Sequence, residues 1–127
     1  MEPGDLSGAN LAGAILRDAS LRRSQLVGAT LTAINAPNAR FTFADLSGAD
    51  LTGAVLRNAE LTYAVLRGAR LREADLRNSQ MSRTDLREAD LTGAQISGAN
   101  LRGAMLDGAR WTDGVRICAA GSVGTCQ

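Results

Sequence analysis

The chain has 127 residues, enough for one domain, with 14 arginines, no lysine, no histidine, 13 acidic residues and a net charge of +1. No run of basic residues occurs, which argues against a nucleic-acid or anionic-membrane footprint. No apolar run approaches the ~20 residues of a membrane span.

Met1-Glu2-Pro3 forms a short lead-in, residues 1–3, too short for a capping helix. It contains no charged-then-apolar signal segment, so an exported form would have lost its signal. A five-residue pattern then begins at once. Large apolar residues recur at every fifth position from Leu6 to Trp111, giving 22 quintets, and a small residue stands two places before each. A helix repeats apolar positions about every 3.6 residues and a strand every 2, so neither yields a period of five. Frequent glycine also argues against helix, at about 1 kcal/mol per site relative to alanine. A chain that turns once per quintet satisfies the pattern: a large and a small side chain point inward, three residues point outward, and stacking buries what no repeat can bury alone.

Quintets such as Ala44-Asp45-Leu46-Ser47-Gly48, Ala49-Asp50-Leu51-Thr52-Gly53 and Ala99-Asn100-Leu101-Arg102-Gly103 resemble the pentapeptide-repeat family, with its A(D/N)LXX consensus. The resemblance implies an all-β fold, a right-handed quadrilateral β-helix with four quintets per coil, over residues 4–113. That gives about 5.5 coils and, with strands about 4.8 Å apart, a rod of roughly 26 Å.

Residues 32–43 interrupt the pattern. Ile34 takes a small slot and Ala36 a large one, yet Phe41 returns in phase. A volume swap within one layer explains this; the alternative is a local bulge. Pro37 falls at an outward position, where its missing N–H is best tolerated. The residues also support a 20-residue coil on their own. Asp18, Asn38, Asn58 and Asn78 are spaced by 20, and they suggest a corner of stacked, mutually bonded amides that tolerates unusual φ. Gly8, Gly28, Gly48 and Gly68 form a second such column, interrupted by Glu88 and resumed at Gly108.

Trp111 ends its stack and suits a roof over the last coil. Residues 114–127, with Gly121 and Gly124, read as a capping loop, since an open solenoid end exposes apolar side chains and unpaired strands. Cys118 and Cys126 lie in this tail, where a disulfide would tether a segment with little apolar core of its own; free thiols are the alternative. A disulfide would favour an extracytoplasmic compartment, and the compartment is otherwise open. Two thiolates without histidine do not fill a zinc site. The first coil has little to cover it, which leaves a monomer or an end-to-end homodimer.

The most unusual outward column is Arg23, Phe43, Tyr63, Arg83, holding two of the four aromatic residues. Such residues are enriched at interface hot spots, although a self-stabilising ladder of stacked rings and guanidinium groups would place them alike. The central arginines interleave with acids, as a salt-bridged surface does. Asp5, Asp45, Asp50, Asp75, Asp85 and Asp90 read as outward polar residues: no cleft sets two carboxylates across a substrate, and no base activates a serine or threonine. Thr32, Thr52, Thr92 and Thr112 share one column that Arg72 breaks, a poor template for an ice-binding array.

The expectation is therefore a non-enzymatic structural or protein-interaction module with an unknown protein partner. It needs no catalytic residue, metal or cofactor. The resemblance supplies an alternative, because some members of the family mimic DNA and engage DNA gyrase. That role implies a long, strongly anionic rod, which this composition does not match.

Overall fold

The computed structural model describes residues 4–127; the Met1–Pro3 lead-in lies outside the described residues. The chain is a repeat β-solenoid. Parallel bridges join residues 20 apart, from Asp5↔Gln25 to Asp90↔Arg110, and build four ladders that begin at Asp5, Asn10, Ile15 and Ser20. The backbone supplies the stacking bonds. Leu46 N donates to Val65 O (2.7 Å), Gly48 N to Arg67 O (2.9 Å), and Asp45 N to Ser24 O (3.0 Å).

Within each quintet the chain reverses in a tight turn, as where Ala49 N donates to Leu46 O (3.0 Å). The third turn residue has positive φ at every repeat from Gly8 to Glu88, whether glycine or not, and the four that follow are all glycine with φ of 72–74°. The consensus Asp or Asn fixes this turn. Asp45 Oδ1 accepts from Ser47 N (3.0 Å), Asp50 Oδ1 from Thr52 N (3.0 Å), and Asn100 Oδ1 from Arg102 N (3.1 Å). These are Asx turns, the local bond that short polar side chains make two residues ahead.

The interior is a column of leucine and alanine. Leu46, Leu51, Leu56, Leu61, Leu66, Leu71 and Leu76 are buried, as are the alanines between them. Fully burying one such leucine contributes about 1.5–3 kcal/mol. Two polar intrusions are satisfied: Ser79 Oγ donates to Leu76 O and Thr84 Oγ1 to Leu61 O, each at 2.8 Å.

The irregular segment is a swap rather than a bulge. Ile34, Ala36 and Phe41 are all fully buried, and the bridges Asn35↔Val55 and Arg40↔Glu60 keep their register. The adjustment appears in the turns, where Ile34 N–Leu31 O and Ala39 N–Ala36 O lengthen to 3.4 and 3.3 Å. Pro37, at its outward turn position, is nonetheless buried. It is the second residue of its turn, a site that favours proline's fixed φ. The N–H at that slot elsewhere bonds only the Asx side chain, as Thr52 N bonds Asp50, so proline removes no ladder bond.

Two other expectations change. Asn38, Asn58 and Asn78 do adopt positive φ, of 59–62°, but among the described residues no hydrogen bond joins their amides. Their side chains are exposed to water, and their left-handed backbone suffices to explain the column. The tail is not a plain loop. It returns as an antiparallel strand pair, with bridges Arg110↔Ile117 and Met105↔Val123, fastened by a Cys118–Cys126 disulfide. It buries Leu106 completely, whereas Trp111 is only half-buried against the core. Unpaired strand groups attract backbone more strongly than a ring can cover them.

Candidate interaction surface

Arg23, Phe43, Tyr63 and Arg83 all occupy the third turn position of the ladder that begins at Ser20, with φ of 56–61°. Backbone bonds hold them one above another: Arg23 N donates to Thr42 O, Phe43 N to Thr62 O, and Tyr63 N to Ser82 O. The sequence spacing therefore becomes contact. The Phe43 and Tyr63 rings stack with centroids 5.0 Å apart and planes 3° from parallel. The Arg23 guanidinium lies 5.2 Å from the Phe43 centroid, and that of Arg83 lies 5.8 Å from the Tyr63 centroid. Arg83 Nη1 also donates to Tyr63 Oη at 2.8 Å. Both rings remain exposed, Phe43 at 48% and Tyr63 at 42%.

The column ends at Gly103. A Cβ there would lie 3.0 Å from Arg83 Cγ, so a side chain would require Arg83 to shift. An open concavity of about 450 Å³ lies here, lined by Ser82, Arg83, Arg102 and Gly103. The sequence reading did not single out Ser82 and Arg102, although the 20-residue offset from Thr62 was the available signal.

The consensus carboxylates have work elsewhere. Asp75 and Asp85 each hold an arginine two residues on in a bidentate pair, Arg77 Nη2–Asp75 Oδ2 at 2.8 Å and Arg87 Nη2–Asp85 Oδ2 at 2.7 Å. The Arg87 hydrogen bond lowers the Asp85 carboxyl below its ordinary value of 3.8, against the opposing effect of burial, and Arg77 acts likewise on Asp75. A Thr52 hydroxyl bond lowers Asp50 in the same way. Thr52 and Thr92 donate at 2.6 Å to Asp50 and Asp90; their hydroxyls thus brace turns rather than form a free array. The central arginines pair as expected, with Arg57–Asp75, Arg67–Glu88 and Arg72–Asp90 at 3.2–3.4 Å. Among the described residues no group of His, Cys, Asp and Glu is placed to hold a metal ion, and no helix is long and apolar enough to cross a membrane.

The model of the family described as pentapeptide repeats matches residues 5–42, 39–78 and 69–108, with eight copies. The chain belongs to the pentapeptide repeat family. Solved members of the family resemble it. A pentapeptide repeat protein from the Arabidopsis thaliana thylakoid lumen is 26% identical with a TM-score of 0.59, over 95% of this chain and 82% of that one. HetL, a pentapeptide repeat protein involved in heterocyst differentiation regulation in the cyanobacterium Nostoc, is 29% identical with a TM-score of 0.50, over 92% of this chain and 67% of its own. QnrB1, a plasmid-mediated fluoroquinolone resistance protein, shares the fold at 24% identity and a TM-score of 0.56, over 85% of this chain and 61% of its own. No curated protein matches the sequence.

Proposed function

We propose that this pentapeptide repeat protein is a non-enzymatic structural and protein-interaction module, and that the column Arg23, Phe43, Tyr63, Arg83 is its contact surface. One observation carries this reading: two large rings stay half-exposed at positive φ, where the repeat accepts glycine at ten other positions from Gly8 to Gly108. A non-glycine residue in that region costs on the order of 1–3 kcal/mol. Stacked aromatics flanked by arginine are what interface hot spots are made of.

The scaffold behind this surface is a right-handed, quadrilateral coil of about 5.5 turns over residues 4–113, with residues 114–127 as its cap. The disulfide in that cap, together with the thylakoid-lumen relative, supports an oxidising compartment. The QnrB1 likeness raises the DNA-mimic alternative, a modulator of gyrase. A surface that mimics duplex DNA must be anionic throughout, and a net charge of +1 opposes it.

Tyr63→Ala tests the reading. Its circular dichroism should match that of the parent and its melting should fall only slightly, while a partner captured by the parent should be lost. A partner retained at full strength by Phe43→Ala, Tyr63→Ala and their combination would remove the column from consideration. A supercoiling assay in which the protein inhibits gyrase would favour the alternative.

A further inference from the structure

The near-neutral total conceals an uneven surface. The ladder that begins at Ser20, with its turns, carries Arg22, Arg23, Arg40, Arg83 and Arg102 against one carboxylate, Glu60. The adjoining ladder that begins at Asp5 is biased the other way, its five carboxylates outnumbering Arg67 and Arg87. Among the described residues, every ion pair lies off the Ser20 ladder, and the ladder's one carboxylate, Glu60, is joined to Arg40 by a β-bridge, so positive charge predominates along it. All five arginines are exposed. These arginines are scattered along the sequence, and only the 20-residue offset collects them.

The aromatic pair at the centre of this basic strip presents an unusual surface. Tyr63 covers one face of Phe43 and Arg23 the other; Phe43 covers one face of Tyr63 and Arg83 the other. Each ring thus has the other ring on one side and a guanidinium group on the other. A nucleobase needs a free ring face on which to stack, and here it would have to displace Arg23 or Arg83. Ring edges carry the positive end of the aromatic quadrupole, so they add to the field of the guanidinium groups. Thr42, Thr62 and Ser82 run alongside as hydroxyl donors, partly accessible. At one end Ser82, Arg83, Arg102 and Gly103 line a concavity open to solvent, beside the Arg83 guanidinium that donates to Tyr63.

We infer that this side docks an acidic segment of a partner protein, its carboxylates meeting the arginine strip and one of them seated between Arg83 and Arg102. The inference rests on the contact-surface reading above and gives the partner its chemistry. Guanidinium binds carboxylate through paired, directional bonds, and complementary charge sets on-rate and specificity more than affinity.

The test titrates fluorescein-labelled oligoglutamate, and oligothymidylate of matching charge, into the full chain by fluorescence anisotropy at low and physiological salt. Oligoglutamate should bind and weaken as salt rises. Arg83→Ala with Arg102→Ala should weaken it at least about tenfold, or 1.4 kcal/mol, while Arg67→Ala with Arg72→Ala, on other ladders, should leave it unchanged. Oligoglutamate binding that is equal in both double variants would overturn the inference. Oligothymidylate binding that is tighter and lost in Arg83→Ala with Arg102→Ala would overturn it in favour of single-stranded nucleic acid. A photo-crosslinker at position 63 separates the two levels. If it captures a protein through a neutral or basic segment, the acidic partner is wrong and the contact surface stands. If it captures an acidic segment, both stand.

Discussion

Two turn columns of this solenoid share one backbone and differ in everything outside it. Gly8, Gly28, Gly48 and Gly68 have φ of 65–71°; Arg23, Phe43, Tyr63 and Arg83 have 56–61°. The first column lies in the region where a missing Cβ relieves strain. A Cβ built on Gly28, Gly48 or Gly68 would meet no atom within 4 Å, so any penalty there is wholly one of backbone conformation. The second column accepts that same penalty four times in succession. The fold therefore does not demand aromatic rings or arginine at its turns. It tolerates them, and stacking and guanidinium contacts offset part of the strain.

Several substitutions can break this comparison or sharpen it. The largest effect is expected behind the columns, where they are alike. Leu61→Asp and Leu66→Asp each bury an unpaired charge in the interior, and both should abolish the β signal in circular dichroism at 25 °C. If only one does, the two columns do not share a common core. Next come Ala64→Leu and Ala69→Leu, which overpack fully buried small slots and should each cost about 1–3 kcal/mol in denaturant titrations. Smaller again is the contrast at the turns. Gly68→Ala should destabilise by about 1–2 kcal/mol from its left-handed φ alone, whereas Tyr63→Gly should be near neutral, losing a stack and relieving strain. A large loss for Tyr63→Gly would show the ladder to be structural rather than a contact surface.

The smallest effect is one of pH. Hydrogen-bonded arginines lower Asp75 and Asp85 below 3.8 in the folded chain. Folded pKa values below the unfolded ones contribute stability at pH above about 4, and that contribution disappears as pH falls through the folded values. Acid melts should therefore show declining stability below pH 4, and Asp85→Asn should flatten that decline slightly.

Much of this architecture could be read from the residues because it is repeated. The quintet spacing, the 20-residue offset from Asp18 to Asn78, the layer swap at Ile34 and Ala36, and the contact between Phe43 and Tyr63 each follow from position. What escaped were features that depend on bond partners or occur once. Asp45 and Asp50 looked like ordinary outward carboxylates, yet each closes its own turn. The Asn38–Asn58–Asn78 column keeps its φ without bonding between amides, a distinction that composition does not carry. The tail has no repeat to compare with, so its antiparallel pairing and its grip on Leu106 lay beyond pattern reading. The basic side was written in the spacing, but only sorting charges by ladder reveals it; summed over the chain, they cancel.

Because the parallel bridge partners stand 20 residues apart, the gene that encodes this protein has a preferred unit of growth. Duplicating or removing 20 codons lengthens or shortens the stem and leaves every column intact. An indel of five codons still returns each leucine to the interior, but it rotates everything downstream by one ladder and separates Phe43 from Tyr63. An indel that is not a multiple of five turns the leucines outward. Evolution can thus alter the length of this molecule cheaply, while its binding face survives only in whole steps.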